Sequence, residues 1–274
     1  MPADLPPNFR SDAFAGTVDD YVRYRPPYDV GMLREVLDRA ALPAGARLID
    51  LACGPGRLTF AIADRFADVL AVDLEPEMIA AARVEAARRG VRHIRWIVGR
   101  AEELEAPAGV FDLVTAGSAF HRFDQPRVAG LAYRWLKPGG AFVTLGDVPA
   151  SGGRASWRPI VTRLVRAYLG EPVQRLQGTP HPTPEEGRAD EEQVLRRCGF
   201  APVESRSFEA PHVWTVESLL GFLRSTSFAS RAALGERHRA FEADLTAALL
   251  SHDSSGQYPE IVGSGYTLAR KPLP

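Results

Sequence analysis

The 274 residues carry 33 basic against 34 acidic side chains, a formal net charge of −1, and 45 % of them are hydrophobic. That balance exerts no overall pull toward nucleic acid or an anionic membrane, and the apolar share is enough to fill a real core. Two cysteines, Cys53 and Cys198, are too few for a disulfide framework or zinc ribbon, no apolar run approaches the ~18 residues of a membrane span, and the start lacks a basic-then-apolar leader; the expectation is a soluble, cytoplasmic protein with no metal site.

Residues 1–13 are polar and Pro-rich and are expected to be loose. The stretch Y-V-R-Y-R-P-P-Y then packs Tyr21, Tyr24, Tyr28, Arg23 and Arg25 together, and Pro26 and Pro27 must end any helix there. Met32, Leu33, Val36, Leu37 and Ala40 recur at helical spacing up to Pro43. A first strand at about 46–51 breaks into the small-residue loop Ala52-Cys53-Gly54-Pro55-Gly56, and a helix follows from about Pro55 to Phe66. Strand, tight turn and helix start is the place where an α/β sheet accepts a ligand.

A second strand (69–72) ends at Asp73, and Pro76 opens a helix that stops at Gly90 behind Arg88 and Arg89. Ile94, Trp96 and Val98 alternate in a third strand, and Phe111 to Ala116 make a fourth. Asp124 caps the next helix, which runs to the stop Lys137-Pro138-Gly139-Gly140 before a fifth strand at 141–145. Five strands alternating with helices predict a doubly wound, mostly parallel α/β sheet.

After Asp147 the pattern changes. Trp157, Ile160, Val161, Leu164, Val165 and Tyr168 mark one helix face, Thr183 and Glu186 form a capping box for a helix reaching Gly199, and a strand follows at 202–213. Two amphipathic helices at about 216–224 and 235–250 lead to a last strand near 261–269. One domain with helical insertions is expected, not two independent domains.

The ordered motifs L-I-D-L-A-C-G-P-G, A-V-D-L-E-P-E-M-I, G-R-A-E-E-L, F-D-L-V-T-A-G-S-A-F-H-R-F-D and L-K-P-G-G cover residues 44–147. Together they resemble the class I S-adenosylmethionine-dependent methyltransferases. The N-terminal Y-V-R-Y-R-P-P-Y and the final Y-T-L-A-R-K look like one small-molecule branch of that family. Arg122 departs from the branch, which usually has tryptophan after the histidine.

The resemblance implies a Rossmann-like seven-stranded sheet with an N-terminal cap (1–43), a cofactor-binding core (44–147) and helical lid insertions (149–198 and 214–257). It implies S-adenosyl-L-methionine as cofactor. Asp73 would take the ribose hydroxyls, while Ala52, Gly54 and Gly56 would run beneath the methionine part and Asp50 would meet its ammonium. Leu74 and Met78 would sandwich the adenine, Ala101 and Glu102 would meet its edge, and Ser118 would lie beside the sulfonium. Tyr21 and Arg25 would fold over the cofactor carboxylate, with Tyr28 nearby.

His121, which follows the fourth strand, is the first candidate for a general base or for positioning the acceptor, and Asp147 is the second. Trp157, Tyr168, His181, Trp214, Phe222 and Phe228 make the expected lid aromatic, which suits a small, partly apolar methyl acceptor bound by a monomer or homodimer. Methylation at oxygen, nitrogen or carbon all remain open. Two other readings stand beside it. One is a cyclase or binder that reuses the fold without methyl transfer. The other is an NAD-dependent oxidoreductase, whose G-x-G-x-x-G fingerprint fails here because Thr59 occupies the third position.

Overall fold

The computed structural model describes residues 14–148, 155–170 and 184–274. Within them lie α1 (Val18–Tyr24), α2 (Val30–Ala40), β1 (Arg47–Leu51), α3 (Arg57–Ile62), β2 (Asp68–Asp73), α4 (Pro76–Arg89), β3 (Ile94–Val98), β4 (Phe111–Gly117), α5 (Gln125–Trp135) and β5 (Leu136–Val148). They are followed by α6 (Arg158–Leu169), α7 (Pro184–Arg197), β6 (Val203–Thr215), α8 (Val216–Arg224), α9 (Arg231–Leu234), α10 (His238–His252) and β7 (Gln257–Arg270).

The strands form one seven-stranded sheet in the order β3-β2-β1-β4-β5-β7-β6, with β1 to β5 parallel and β7 antiparallel between β5 and β6. Strand order reverses between β1 and β4, so a crevice opens outside their C-terminal ends. Alternate side chains feed two cores. Leu48, Val69, Leu113 and Val143 face the layer of α2, α3 and Ile79, while Ile49, Val114 and Phe142 face that of α5 and Leu195 from α7. Coverage on both faces explains why the central strands read as unbroken apolar runs.

Most element boundaries lie within two or three residues of the sequence reading, and four places differ for physical reasons. The short helix α1 buries none of its residues, so it has no apolar stripe to betray it; Arg25 turns extended after it because Pro26 forbids the helical region. The helix after the glycine loop shortens to α3 and finishes as a 3-10 turn at Ala63–Arg65. Lys137-Pro138-Gly139-Gly140 lies inside β5 rather than before it, because Leu136 is fully buried and pairs with Phe111. An irregularity in the β4–β5 pairing follows, and Lys137 pins it through Asp112 at 2.8 Å. Finally, β6 and β7 outrun the rest of the sheet: Gln257–Val262 pair with β6 alone, beyond the last β5 partner Gly263.

That overhang projects past the C-terminal edge of the parallel strands and carries a separate cluster. Trp214 of β6 and Tyr258 of β7 pack with Trp157 and Val165 of the α6 region, Leu223 of α8, and Phe241 and Leu245 of α10. The α7 helix leaves this group and returns to the sheet through Leu195. The N-terminal segment is tied to the cluster, since Arg224 on α8 pairs with Asp20 on α1 at 3.1 Å and Gly221 gives room to the Tyr24 ring. Thr183, Glu186 and His181, singled out above, have no described side-chain structure: Thr183 and His181 lie outside the described residues, and Glu186 is placed by its backbone alone.

Candidate active site

The site is built by the loops that leave β1, β2, β3 and β4. The loop after β1 requires left-handed backbone at Ala52, Gly54 and Gly56, with φ of 50°, 56° and 84°. It is held by the neighbouring strand: Cys53 N–H donates to the Val72 carbonyl at 3.0 Å and Gly54 N–H donates to Asp73 Oδ2 at 2.7 Å. Asp73 also accepts from Glu75 N–H at 2.9 Å. Burial raises its pKa, while these backbone donors and the nearby Arg122 oppose the rise. Ser118, another left-handed residue at φ 52°, is fixed by donating its N–H to the Leu145 carbonyl at 2.6 Å.

These loops surround a cavity of about 800 Å³ measured to its open mouth, a size usual for small-molecule and cofactor clefts. Ala52 and Gly54 line one side, with Tyr21 over them. Asp73, Leu74 and Met78 line the next, then Ala101 and Glu102, then Ser118. Nine of the twelve residues expected at a cofactor thus share one cavity. Glu102 reaches it already engaged, accepting from Asp124 N–H at 3.2 Å and facing Arg100 at 3.4 Å.

Phe14, Arg122 and Phe123 also line the cavity without having been expected there; the Arg122 guanidinium sits 4.7 Å from the centre of the Phe14 ring. The unusual arginine after His121 was the visible signal for one of them. Phe14 gave none, because nothing in the sequence says that the first described residue folds back across the sheet edge.

Three expected cofactor residues stand outside the wall. Asp50 is fully buried and its two oxygens accept from Thr59 Oγ1 at 2.5 Å and Thr115 Oγ1 at 2.7 Å. Burial pushes its pKa up to about 6, despite both threonines, and the Asp73 charge adds to the rise. At Gly56 a Cβ would meet the Phe60 ring at 2.6 Å and Trp96 at 2.8 Å, so this glycine serves packing beneath the loop. Arg25 lies one ring further out: its guanidinium is 4.9 Å from the ring centres of Tyr21 and of Phe222, and it donates to Ser225 Oγ at 2.9 Å.

The two acid–base candidates part company. His121 is exposed on the short 3-10 turn Phe120–Arg122 and does not line the cavity. Asp147 lies beside the end of β5, opposite Ser264 of β7. The residue is exposed at its surface, yet protein encloses its carboxyl at longer range; that enclosure raises its pKa, and Arg25, Arg158 and Arg57 lower it in that order. Among the described residues no group of three or more histidine, cysteine or acidic side chains is placed to hold a metal ion.

A family model described as a methyltransferase domain matches residues 48–140. The nocamycin O-methyltransferase of Saccharothrix syringae is 30 % identical over 257 residues, spanning 86 % of this chain and 89 % of that protein. The chain belongs to the class I S-adenosylmethionine-dependent methyltransferases. Solved structures share the family fold. The YcgJ protein of Bacillus subtilis matches at a TM-score of 0.58 and 18 % identity, over 90 % of this chain and all of that one. The Haemonchus contortus phosphoethanolamine N-methyltransferase 2, in complex with S-adenosyl-L-methionine, matches at 0.53 and 18 % identity, over 96 % of this chain and 57 % of that one.

The cofactor of this methyltransferase family is S-adenosylmethionine. The cavity suits it chemically. Asp73 retains lone pairs beyond the two backbone donors for a diol, Leu74 and Met78 offer apolar surface for a planar base, and the absent side chain of Gly54 leaves the floor open. Among the described residues no helix is long and apolar enough to cross a membrane.

Proposed function

We propose that the protein transfers the methyl group of S-adenosylmethionine to an oxygen of a small, partly apolar metabolite, acting in the cytoplasm as a monomer or homodimer without a nucleic-acid or membrane partner. The observation that carries this reading is the convergence of Asp73, Gly54, Leu74, Met78 and Glu102 on one cavity, with Ser118 on its wall bonded to Leu145 of β5, two residues before Asp147. Oxygen is preferred over nitrogen or carbon because the relative that matches nearly end to end, helical insertions included, is an O-methyltransferase.

In this reading Asp73 accepts both ribose hydroxyls, Leu74 and Met78 hold the faces of the adenine, and Ala101 and Glu102 meet its edge. Ala52 and Gly54 pass beneath the methionine part and Tyr21 covers it. Asp50 acts from below, stiffening β1 against α3 and β4 through Thr59 and Thr115, and Arg25 backs Tyr21. The bound sulfonium supplies an already activated methyl group, so the protein's task is to align the acceptor and exclude water. Alignment of this kind lowers a barrier by about 7–11 kcal/mol. The acceptor enters on the Asp147 side; His121, exposed on its turn, is a positioning residue.

The test is an incubation of the protein with S-adenosylmethionine and a metabolite library, read by mass spectrometry. One product heavier by a single methylation, formed together with S-adenosylhomocysteine, supports the proposal. Binding of S-adenosylmethionine with no methylated product from any library member and no S-adenosylhomocysteine would favour a cyclase or binder on the same fold.

A further inference from the structure

Phe14 and Arg122 both line the cavity, take no part in the ligand contacts assigned so far, and touch each other. They come from distant parts of the chain: Phe14 precedes α1, and Arg122 stands on the turn after β4. Each is fixed by its own backbone. The Phe14 carbonyl accepts from Thr17 N–H at 3.1 Å and from Thr17 Oγ1 at 2.7 Å, and Thr17 is buried. Arg122 N–H donates to the Ala119 carbonyl at 2.8 Å, and the next residue, Phe123, sets its ring edge-on to buried Phe120.

Two further hydrogen bonds tell which end of the cavity the pair occupies. Gly16, two residues after Phe14, donates its N–H to Glu77 Oε2 at 2.8 Å, and Glu77 is the chain neighbour of Met78. Asp124, two residues after Arg122, donates its N–H to Glu102 Oε1 at 3.2 Å. Met78 and Glu102 are the residues assigned to the face and the edge of the adenine, so both halves of the pair are anchored on the adenosine side.

The contact also completes a row. The Arg122 guanidinium is 4.7 Å from the centre of the Phe14 ring, within cation–π range. Phe14 meets Tyr21 edge-on at 6.1 Å, and Tyr21 comes within 4.0 Å of the place a Gly54 Cβ would take. All four residues line the cavity, and together they link the turn after β4 to the loop after β1. Arg122 acts on Asp73 as well, drawing that carboxyl toward the ionised form whose lone pairs suit a ribose diol.

We propose that Phe14 and Arg122 are cofactor-binding residues, a clasp joined by their ring-and-guanidinium contact and closing over the adenosine part of S-adenosylmethionine. This rests on the cofactor placement of the proposed function and adds two residues to it. The Phe14 ring supplies apolar cover. The guanidinium is planar and weakly hydrated, so it lies against the nucleoside at a smaller desolvation cost than an ammonium. A clasp on adenosine grips donor and demethylated product alike, and it leaves the acceptor end clear.

The experiment is calorimetry on the full chain with S-adenosylhomocysteine and with 5′-methylthioadenosine, which keeps the adenosine and the thioether but lacks the amino-acid part. Phe14→Ala and Arg122→Gln should each weaken S-adenosylhomocysteine binding by about fivefold or more. The double variant should lose less than the product of the two single losses, because both remove the same contact. Methylthioadenosine should lose affinity by the same factors. Phe14→Tyr, which keeps the ring, and Arg122→Lys, which keeps the charge, should retain most of the affinity.

Unchanged affinity in both single variants overturns the proposal, and losses that simply multiply in the double variant show that the two residues form no clasp. Losses confined to S-adenosylhomocysteine, or no binding of methylthioadenosine by the unaltered protein, would put the grip on the amino-acid end and overturn it too. So would Phe14→Tyr and Arg122→Lys falling as far as Phe14→Ala and Arg122→Gln. Failure of S-adenosylhomocysteine to bind the unaltered protein at all would instead strike the cofactor placement on which the clasp rests.

Discussion

The backbone N–H of Gly54 donates to the carboxylate of Asp73 at 2.7 Å, so the acid that ends β2 holds the loop that ends β1. The residue expected to grip the ribose is also the one that shapes the floor beneath the rest of the cofactor. Asp73→Ala removes both effects, and S-adenosylmethionine affinity measured by calorimetry should fall by at least about tenfold, the equivalent of one hydrogen bond to a charged group. An unchanged affinity would sink the ribose assignment.

Gly54 and Gly56 should fail in different ways when given a side chain. At Gly56 a Cβ meets the Phe60 and Trp96 rings at 2.6 and 2.8 Å, with φ at 84°, so Gly56→Ala should lower folding stability by about 1–3 kcal/mol in urea titration. At Gly54 the nearest side-chain atom, on Tyr21, is 4.0 Å from the added Cβ, which stands on the cavity floor. Gly54→Ala should therefore show its larger effect on S-adenosylmethionine affinity. The reverse pattern would mean that the loop has been read from the wrong side.

Asp50 makes stability depend on pH with an unusual sign. Its folded pKa, about 6, lies above the ordinary 3.8, so between these values the folded protein binds the proton more readily than the unfolded chain. The ionised carboxylate destabilises the fold above that window by an amount on the order of 3 kcal/mol, and the penalty vanishes as pH falls through it. Asp50→Asn removes the titration. Thermal melts from pH 7 to 4.5 should show the unaltered protein gaining stability relative to the variant as pH drops. A constant difference would remove the buried-charge account of Asp50.

Much of the sheet was legible because a parallel strand covered on both faces announces itself. Leu48, Ile49 and Leu51, or Val69 to Val72, leave no other place to go, and Gly90 and Asp124 mark their helix ends with residues whose conformations are needed there. The overhanging end of β7 was not legible, since Pro259 and Glu260 read as loop and only pairing with β6 makes them strand. That Asp50 is fully buried, with both oxygens accepting from threonines, was not legible, because its partner Thr115 is 65 residues away.

The helical cluster and the N-terminal segment should behave as one unit. A Cβ at Gly221 would overlap the Tyr24 ring, so Gly221→Ala should push α1 off α8 while sparing the sheet. Hydrogen exchange of the α1 amides should accelerate by about tenfold or more, with amides of β1 and β4 unchanged. Equal protection in α1 would show that the contact does not hold the segment down.

The central claim is that the cavity at the β1–β4 switch point receives a methyl donor rather than a dinucleotide. Calorimetry of the unaltered protein against S-adenosylmethionine, S-adenosylhomocysteine and NAD decides it. The geometry predicts stoichiometric binding of both sulfur compounds and none of NAD, because Thr59, locked onto Asp50 at 2.5 Å, occupies the place of the third fingerprint glycine. Binding of NAD alone would contradict the account.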